Sequence, residues 1–515
     1  MADDITRIVI VGGGSAGWLT AAVIAAEHGA AGKLSITLLE SPDVPTVGVG
    51  EGTWPTMRDT LRRIGVSESD FIRECDATFK QGSRFIGWGG HAGRDAYMHP
   101  FVLPQGFLDA NLVAGWQQTP HVPYAELVSF QPHLCEAGRG PKQFATPEYA
   151  AVANYAYHLD AGKFGNFLRR HCVERLGVRH LADHMLSVNA HADGDIASLQ
   201  TREHGVLEGD LFVDCSGERS LLLGRHFGVG RVDVRSVLFN DRALAVQVPY
   251  PAPDTPIACQ TVSTAQRSGW IWDIGLSARR GVGHVYSSAH ISDAEAEADL
   301  FRYIEGSGGA PAKDLGTPMR LAFEPGYRHQ SWHRNCVAVG MSAGFVEPLE
   351  ASSLALVELG ATALAEQLPA TREHMDLVAQ RFNEAFTYRW RRVVDFLKLH
   401  YVLSRRDDSD YWRDHRQEAS IPDSLRELLQ MWRYQPPSRY DLTRVDEVFP
   451  SASYHYILYG MGFVPKPRAG RASDDLRRTS DFFREAADMA RRMLPALPAH
   501  RALIDHINIR GLPKI

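Results

Sequence analysis

No uninterrupted apolar stretch in the 515 residues approaches the roughly 20 needed to cross a bilayer, so no membrane span is expected. Basic excess is also missing. Lys and Arg number 55 against 61 Asp and Glu, a formal net charge of −6, which leaves no field for nucleic acid. The locally basic stretch from Arg391-Arg392 to Arg405-Arg406 lies in a helical pattern and reads as a solvated face. The six cysteines (Cys75, Cys135, Cys172, Cys215, Cys259, Cys336) contain no CxxC pair and are expected as free thiols in a reducing compartment. There is no tandem repeat and no low-complexity tract. Met1-Ala2-Asp3-Asp4 is acidic and runs straight into an apolar strand, leaving no room for a signal peptide. These absences together predict a cytoplasmic location.

With 44% hydrophobic residues, a chain of this length can bury a large core and is expected to hold two or three structural units. Arg7-Ile8-Val9-Ile10-Val11 reads as a buried parallel strand, followed at once by Gly12-Gly13-Gly14-Ser15-Ala16-Gly17 and a helical pattern from Trp18. Gly12 allows the tight turn, Gly14 lets the backbone approach a pyrophosphate, and Gly17 lets helix and strand pack closely. A second strand, Leu34-Ser35-Ile36-Thr37-Leu38-Leu39, ends at Glu40, where a carboxylate would bind a ribose hydroxyl. Strand, turn, helix, strand and acid in this order predict a dinucleotide site.

Later segments favour FAD over NAD. Val47-Gly48-Val49-Gly50-Glu51-Gly52-Thr53 is a second glycine-rich loop, entered through Asp43-Val44-Pro45 and suited to a strap over a flavin's long arm. Asp210-Leu211-Phe212-Val213-Asp214-Cys215-Ser216-Gly217 and Asn335-Cys336-Val337-Ala338-Val339-Gly340 read as strands returning to the same sheet from far along the chain. The expected fold class is α/β: an FAD-binding GxGxxG Rossmann-like module with insertions, residues 1–385, followed by a mostly helical C-terminal part, 386–515, that covers the substrate. Residues near 90–160 are rich in Gly, Pro, His and aromatics and read as a loop-rich insertion. Helical spacing begins at Arg372 and returns over Asp474–Leu494.

Two segments carry candidate chemistry. Phe71, Cys75 and Phe79 are spaced by four, with Ile72 on the same stripe, which predicts an amphipathic helix over Ser69–Phe79. Lys80 follows it, and two readings fit: a lysine reaching solvent from a helix end, or one held in a dry pocket where burial changes its acidity. In Pro348-Leu349-Glu350-Ala351-Ser352-Ser353-Leu354, proline and small hydroxyl residues signal a helix start. Amides at Ser352 and Ser353 would then form an anion site beside Glu350; ordinary capping, with Glu350 in the first turn, fits the same spacing.

The chain resembles the flavin-dependent halogenases of the tryptophan halogenase family over nearly its whole length. The resemblance rests on Gly12–Trp18, Val47–Glu51, Phe79-Lys80, Trp270-Ile271-Trp272-Asp273-Ile274, which is similar to the WxWxIP signature of that family, and Phe345–Glu350. It implies a two-component oxidoreductase in which FADH2 from a separate NAD(P)H-dependent flavin reductase uses O2 and chloride or bromide to form hypohalous acid. That acid then halogenates an electron-rich aromatic, such as indole, tryptophan or a derivative. By resemblance, Lys80 holds or forms an adduct with the oxidant, and Glu350 polarises it or takes the ring proton. Backbone amides of Ser352 and Ser353 hold halide. His99 and Phe101 form a substrate wall able to sandwich a flat ring. Gly12, Gly14, Ser15, Ala16, Gly17, Glu40, Val47, Val49, Gly50, Met341 and Leu354 bind the flavin. A homodimer and no metal are also implied.

The chain departs from the family pattern at four places. Gly275 replaces the signature proline, Ala351 and Ser353 stand where serine and glycine are usual, and Met341 replaces a frequent aspartate. Tyr454-His455-Tyr456-Ile457-Leu458-Tyr459-Gly460 falls where substrate carboxylate and amine contacts are expected but has different chemistry. An aromatic monooxygenase on the same fold and a non-catalytic flavin-binding regulatory protein remain alternatives.

Overall fold

The computed structural model describes residues 4–29, 32, 34–44, 50–90, 95–466 and 473–514. The chain divides into two compact units, each assembled from three segments: 1–76, 159–234 and 324–390 in the first, and 77–158, 235–323 and 391–515 in the second.

The first unit is built on a six-stranded sheet in the order Trp332–His333, Cys336–Ala338, Leu211–Asp214, Arg7–Val11, Ser35–Glu40, Arg179–Ala182. All neighbours are parallel except the first pair. Such strands are covered on both faces and read as continuous apolar runs, and Ile8, Val9, Ile10 and Val11 are accordingly buried. Helix Ser15–His28 connects the first strand to Ser35–Glu40, and helix Ala161–Arg175 leads into Arg179–Ala182. The two distant strands expected to return to one sheet do so, as Leu211–Asp214 and Cys336–Ala338. Arg7–Val11 therefore has Ser35–Glu40 on one side and Leu211–Asp214 on the other. The crevice at its C-terminal end is the topological switch point where doubly wound folds bind ligands. The buried Asp214 accepts hydrogen bonds from the amides of Ser216, Leu222 and Leu223, which turns the chain away from the sheet edge.

The second unit carries a seven-stranded sheet, ordered Met319–Ala322, Arg242–Pro249, Arg279–Tyr286, Gly269–Gly275, Thr261–Gln266, Gly82–Ile86, Ala96–Pro100. Its pairs are antiparallel except Thr261–Gln266 with Gly82–Ile86. Three short helices, Leu112–Trp116, Tyr124–Val128 and Gln131–Glu136, punctuate the expected loop-rich insertion. The C-terminal segment is helical, as expected: Asp423–Trp432, Ser451–Gly460, Ser473–Ala496 and His500–Arg510 follow the long helix Arg372–Leu403.

The division differs from the contiguous one drawn at 385/386. The helical segment shares a unit with 77–158 and 235–323 because its apolar faces close on them: every residue from Ser451 to Tyr459 is buried, and this helix packs on strand Ala96–Pro100. No helix among the described residues is long and apolar enough to cross a membrane.

Candidate functional site

In the first unit the glycine-rich turn is fixed by close approaches. At Gly12, φ is +118°, and an added Cβ would lie 2.1 Å from the Cys215 carbonyl oxygen. A Cβ on Gly17 would lie 1.9 Å from the Gly12 oxygen. Gly14 has no atom within 4 Å of the same position, so the side of the turn it presents is open. It is also the N-cap of helix Ser15–His28 and brings no side-chain acceptor, so the first amides, from Ser15 and Ala16 onward, keep their polarity for a ligand. The Glu40 carboxylate fills the space beside Gly13, where a Cβ would come 2.1 Å from its Cδ, and its Oε2 lies 2.9 Å from His180 Nε2.

The chain returns to this turn at Gly340–Ser342. A Cβ on Gly340 would meet Ala16 Cβ at 2.7 Å, and the Ser342 Oγ is buried with no hydrogen-bond partner among the described residues. Met341 is exposed beside it, Gly50 is buried at the start of the short strand Gly50–Gly52, and Leu354 is buried. Val47 and Val49 lie outside the described residues.

Helix Ser352–Glu366 starts at Ser352 rather than earlier. Glu350 and Ala351 before it are left-handed, at φ 62° and 56°. Glu350 is therefore not a first-turn residue of this helix, contrary to the capping reading. Trp54 Nε1 donates to the Glu350 carbonyl oxygen at 2.8 Å, and the Ala351 amide donates to the Pro348 oxygen at 2.9 Å, which together hold the turn. Ala351 supplies no side-chain cap, so the amides of Ser352 and Ser353 head an uncapped helix.

The helix expected over Ser69–Phe79 is cut short at the end of the first unit's opening segment. It spans Glu68–Glu74, ends at Cys75 and is broken by Asp76 at φ 49°. Lys80 instead ends a strand, Thr78–Lys80, that pairs antiparallel with Ala156–Asp160, Lys80 opposite Ala156. β-branched and aromatic residues at Thr78 and Phe79 favour this conformation. Lys80 is 1% exposed, which excludes the solvent-reaching alternative, and its Nζ lies 5.5 Å from the centroid of the Phe101 ring.

Around Lys80 stand two histidines that nothing in the local sequence signals. His500 accepts from the Phe79 amide through Nε2 at 3.1 Å, and its Nδ1 lies 3.2 Å from the Ile257 oxygen, an arrangement that suits the neutral ring. Burial pushes its pKa down to about 4. His158 is held well below its ordinary value by burial and then by the Lys80 charge.

Gly82 permits the next turn of the site: at φ +147° its Cβ would come 2.4 Å from the His99 oxygen. This close approach could have been suspected from a glycine two residues beyond the lysine. His99 bonds Ser453 Oγ through Nε2 at 2.9 Å and packs against Phe396 and Tyr456. Phe101 is positioned by its backbone, accepting from Asn154 Nδ2 at 3.0 Å and donating to the Gln81 oxygen at 3.3 Å. Trp270 and Trp272 are buried on strand Gly269–Gly275, Trp272 against a glycine, Gly283, whose Cβ would collide with its ring at 2.1 Å. At Gly275, an added Cβ would lie 2.8 Å from Ile257 and 3.2 Å from the Tyr250 hydroxyl, which leaves little room for the proline of the signature.

Residues 7–474 match the tryptophan halogenase family. The chain belongs to that family. It is a flavin-dependent halogenase, and the monooxygenase and non-catalytic readings are not favoured. A crystal structure of tryptophan halogenase from Shewanella frigidimarina NCIMB 400 is 48% identical, covers 99% of both chains and superposes with a TM-score of 0.96. The 7-chloro-L-tryptophan 6-halogenase KtzR of Kutzneria sp. (strain 744) is 34% identical over 98% of this chain and 100% of its own. The tryptophan 7-halogenase RebH of Lentzea aerocolonigenes is 32% identical over 97% of this chain and 98% of its own.

The open side of Gly14, the uncapped helix Ser15–His28, the Glu40 carboxylate and the buried, unsatisfied Ser342 hydroxyl fit the FAD on which this halogenase depends. No cluster of metal-ligating side chains occurs among its described residues.

Proposed function

We propose that this halogenase places chloride or bromide on an indole-like aromatic, tryptophan or a close derivative foremost. The tryptophan substrates in the names of its relatives and the aromatic surroundings of His99 support that class. FAD, reduced by a separate NAD(P)H-dependent flavin reductase, supplies the activation of O2 that turns halide into hypohalous acid. Gly12, Gly14, Ser15, Ala16, Gly17, Glu40, Gly50, Met341 and Leu354 hold the cofactor, together with Val47 and Val49. The amides of Ser352 and Ser353 hold the halide, since an uncapped helix start favours an anion.

Lys80 binds the oxidant. Its ammonium is buried, and burial strengthens a charge-assisted hydrogen bond to the oxygen of hypohalous acid and leaves the halogen electrophilic. Glu350 accepts the proton that the ring loses on substitution. His99 and Phe101 present flat faces against which the substrate ring stacks.

The burial of Lys80, 1% exposed, carries this reading. A buried ammonium is costly, and this one stands beside Phe101 of the proposed substrate wall. The test supplies FAD, a flavin reductase, NADH, O2 and either halide, and screens indoles and phenols by mass spectrometry. Products with the halogen isotope pattern are expected, and Lys80→Ala should abolish them while leaving FAD binding intact. Undiminished halogenation by Lys80→Ala, or oxygen insertion without halogen by the native enzyme, would refute it.

A further inference from the structure

The six cysteines are all buried, but two of them meet. Cys135 sits in the last turn of helix Gln131–Glu136, and the Cys259 thiol donates to its carbonyl oxygen at 3.6 Å and to Gln260 Oε1 at 3.3 Å. The Cys259 thiol thus lies against Cys135, and its proximity helps to raise the Cys135 thiol's pKa. Cys135 is on the wall of a cavity of about 350 Å³, alongside Arg84 and Gln260, while Cys259 is fully buried and does not line it. Burial first, and then the neighbouring Cys259, hold the Cys135 thiol well above its ordinary pKa, and the charge of Arg84, which makes no hydrogen bond or ion pair among the described residues, opposes that shift.

Both arms that carry these thiols are tied to the residue after Lys80. The Gln81 amide donates to the Cys259 carbonyl oxygen at 2.7 Å. Its side-chain Nε2 donates to the Arg139 oxygen at 2.7 Å, four residues past Cys135 and next to Gly138, whose amide donates to the Cys135 oxygen at 3.1 Å. The residue next to Lys80 is therefore bonded to both arms that carry the two thiols, within one unit.

We propose that Cys135 and Cys259 form a sacrificial dithiol that reduces hypohalous acid not consumed by the aromatic substrate. The inference rests on the hypohalous acid reading above. The Cys135 sulfur attacks the halogen of HOX, forming an S–X bond as the O–X bond breaks, and the thiol proton leaves with hydroxide as water. The Cys259 sulfur then displaces halide from Cys135, forming the S–S bond and releasing a proton. Two thiols lose two electrons and HOX is reduced to X⁻ and water. The cavity gives Cys135 the first step, and the Cys259 thiol, bonded to the Cys135 carbonyl oxygen, is at hand for the second. A thiol in this position spares Trp and Met side chains and the catalytic lysine itself.

The experiment uses the full-length enzyme loaded with FAD in two arms. One runs turnover with reductase, NADH, O2 and bromide but no aromatic substrate; the other adds reagent hypobromous acid without reduced flavin. After unfolding, alkylation and digestion, mass spectrometry should find one disulfide joining the Cys135 and Cys259 peptides in both arms, with the other four of the six cysteines alkylated. Cys135→Ser and, independently, Cys259→Ser should lose the link. Cys135→Ser should keep its initial halogenation rate but make less product before inactivation. Both cysteines remaining alkylatable while reagent hypobromous acid oxidises other side chains would overturn the proposal. So would halogenated product from the complete assay without the link in the turnover arm. A link in the reagent arm alone, with no halogenated product from the complete assay, would locate the failure in the halogenation reading and remove the scavenging role with it.

Discussion

Glu358 offers a quantitative test of the helix that heads the proposed halide site. It lies on helix Ser352–Glu366, 3% exposed, accepting from Thr56 Oγ1 at 3.3 Å and Thr60 Oγ1 at 2.9 Å. Burial raises its pKa from about 4.5 to about 8, the two threonine hydroxyls oppose that shift, and Asp59 adds to it. The folded state therefore keeps a proton on Glu358 that the unfolded chain releases above its ordinary pKa. Its contribution to stability is fully present below pH 4.5 and is lost as pH rises towards 8. Within that window the slope is about 1.4 kcal/mol per pH unit, or about 3 kcal/mol between pH 5.5 and 7.5. Glu358→Gln keeps the shape and removes the titration. Unfolding in urea, followed by hydrogen exchange of the amides of helix Ser352–Glu366 at fixed ionic strength, should show the variant gaining on the native protein by that amount across the window. Comparing the two proteins cancels the other carboxyls. Parallel pH profiles would refute the reasoning, because they would mean that Glu358 ionises in the folded state as it does in water.

The glycine turn separates folding from cofactor binding. Gly14→Ala meets no protein atom and should change stability by less than about 0.5 kcal/mol while weakening FAD at least ~10-fold in a fluorescence titration; unchanged affinity would remove Gly14 from the pyrophosphate path. Gly17→Ala collides with the Gly12 oxygen and should instead cost about 1–3 kcal/mol of stability in thermal unfolding. Ser453→Ala deletes the hydrogen bond to His99 Nε2, worth about 1 kcal/mol, and should raise the KM for the aromatic substrate about fivefold with a smaller effect on kcat; an effect on kcat alone would remove His99 from substrate binding.

What was legible in the sequence is what local physics demands. The run Ile8–Val11, the turn at Gly12–Gly17 and the acid at Glu40 each answer a requirement met within a few residues, and the structure realises them together at the switch point. The interleaving of the two units was not legible. It depends on pairings such as Thr261–Gln266 with Gly82–Ile86, whose partners are far apart in the chain and carry no local mark of each other. The Lys80 segment fails in an instructive way. Phe71, Cys75 and Phe79 are all buried, as a four-residue spacing predicts, but a left-handed Asp76 ends the helix, so Phe79 is buried from a strand. The same list of buried positions is compatible with either period, and the alternation Thr78-Phe79-Lys80 is too short to decide between them. His158 and His500 come to the lysine from opposite ends of the unit, which spacing along the chain cannot reveal.

The step before helix Ser352–Glu366 is the other place where a local signal gave way. Proline and small hydroxyl residues suggest a helix opening at Pro348, yet Glu350 and Ala351 both take left-handed backbone, at a cost of about 1–2 kcal/mol each for residues with a Cβ. The hydrogen bond from Trp54 to the Glu350 carbonyl and the Ala351 amide bond to Pro348 hold the pair there. The result is a carboxylate whose backbone is not tied to the helix, ahead of two amides with no side-chain cap. Ala351→Gly relieves one left-handed residue but gives the unfolded chain about 0.5–1 kcal/mol more entropy, so its net effect on thermal stability should run from neutral to a gain of about 1.5 kcal/mol. Ala351→Val, branched at Cβ, should lose about 1–2 kcal/mol more. If glycine is as damaging as valine, the left-handed turn is not the property being selected at Ala351. If glycine is neutral for stability but slows halogenation, the rigidity of this turn holds the Glu350 carboxylate in its working position.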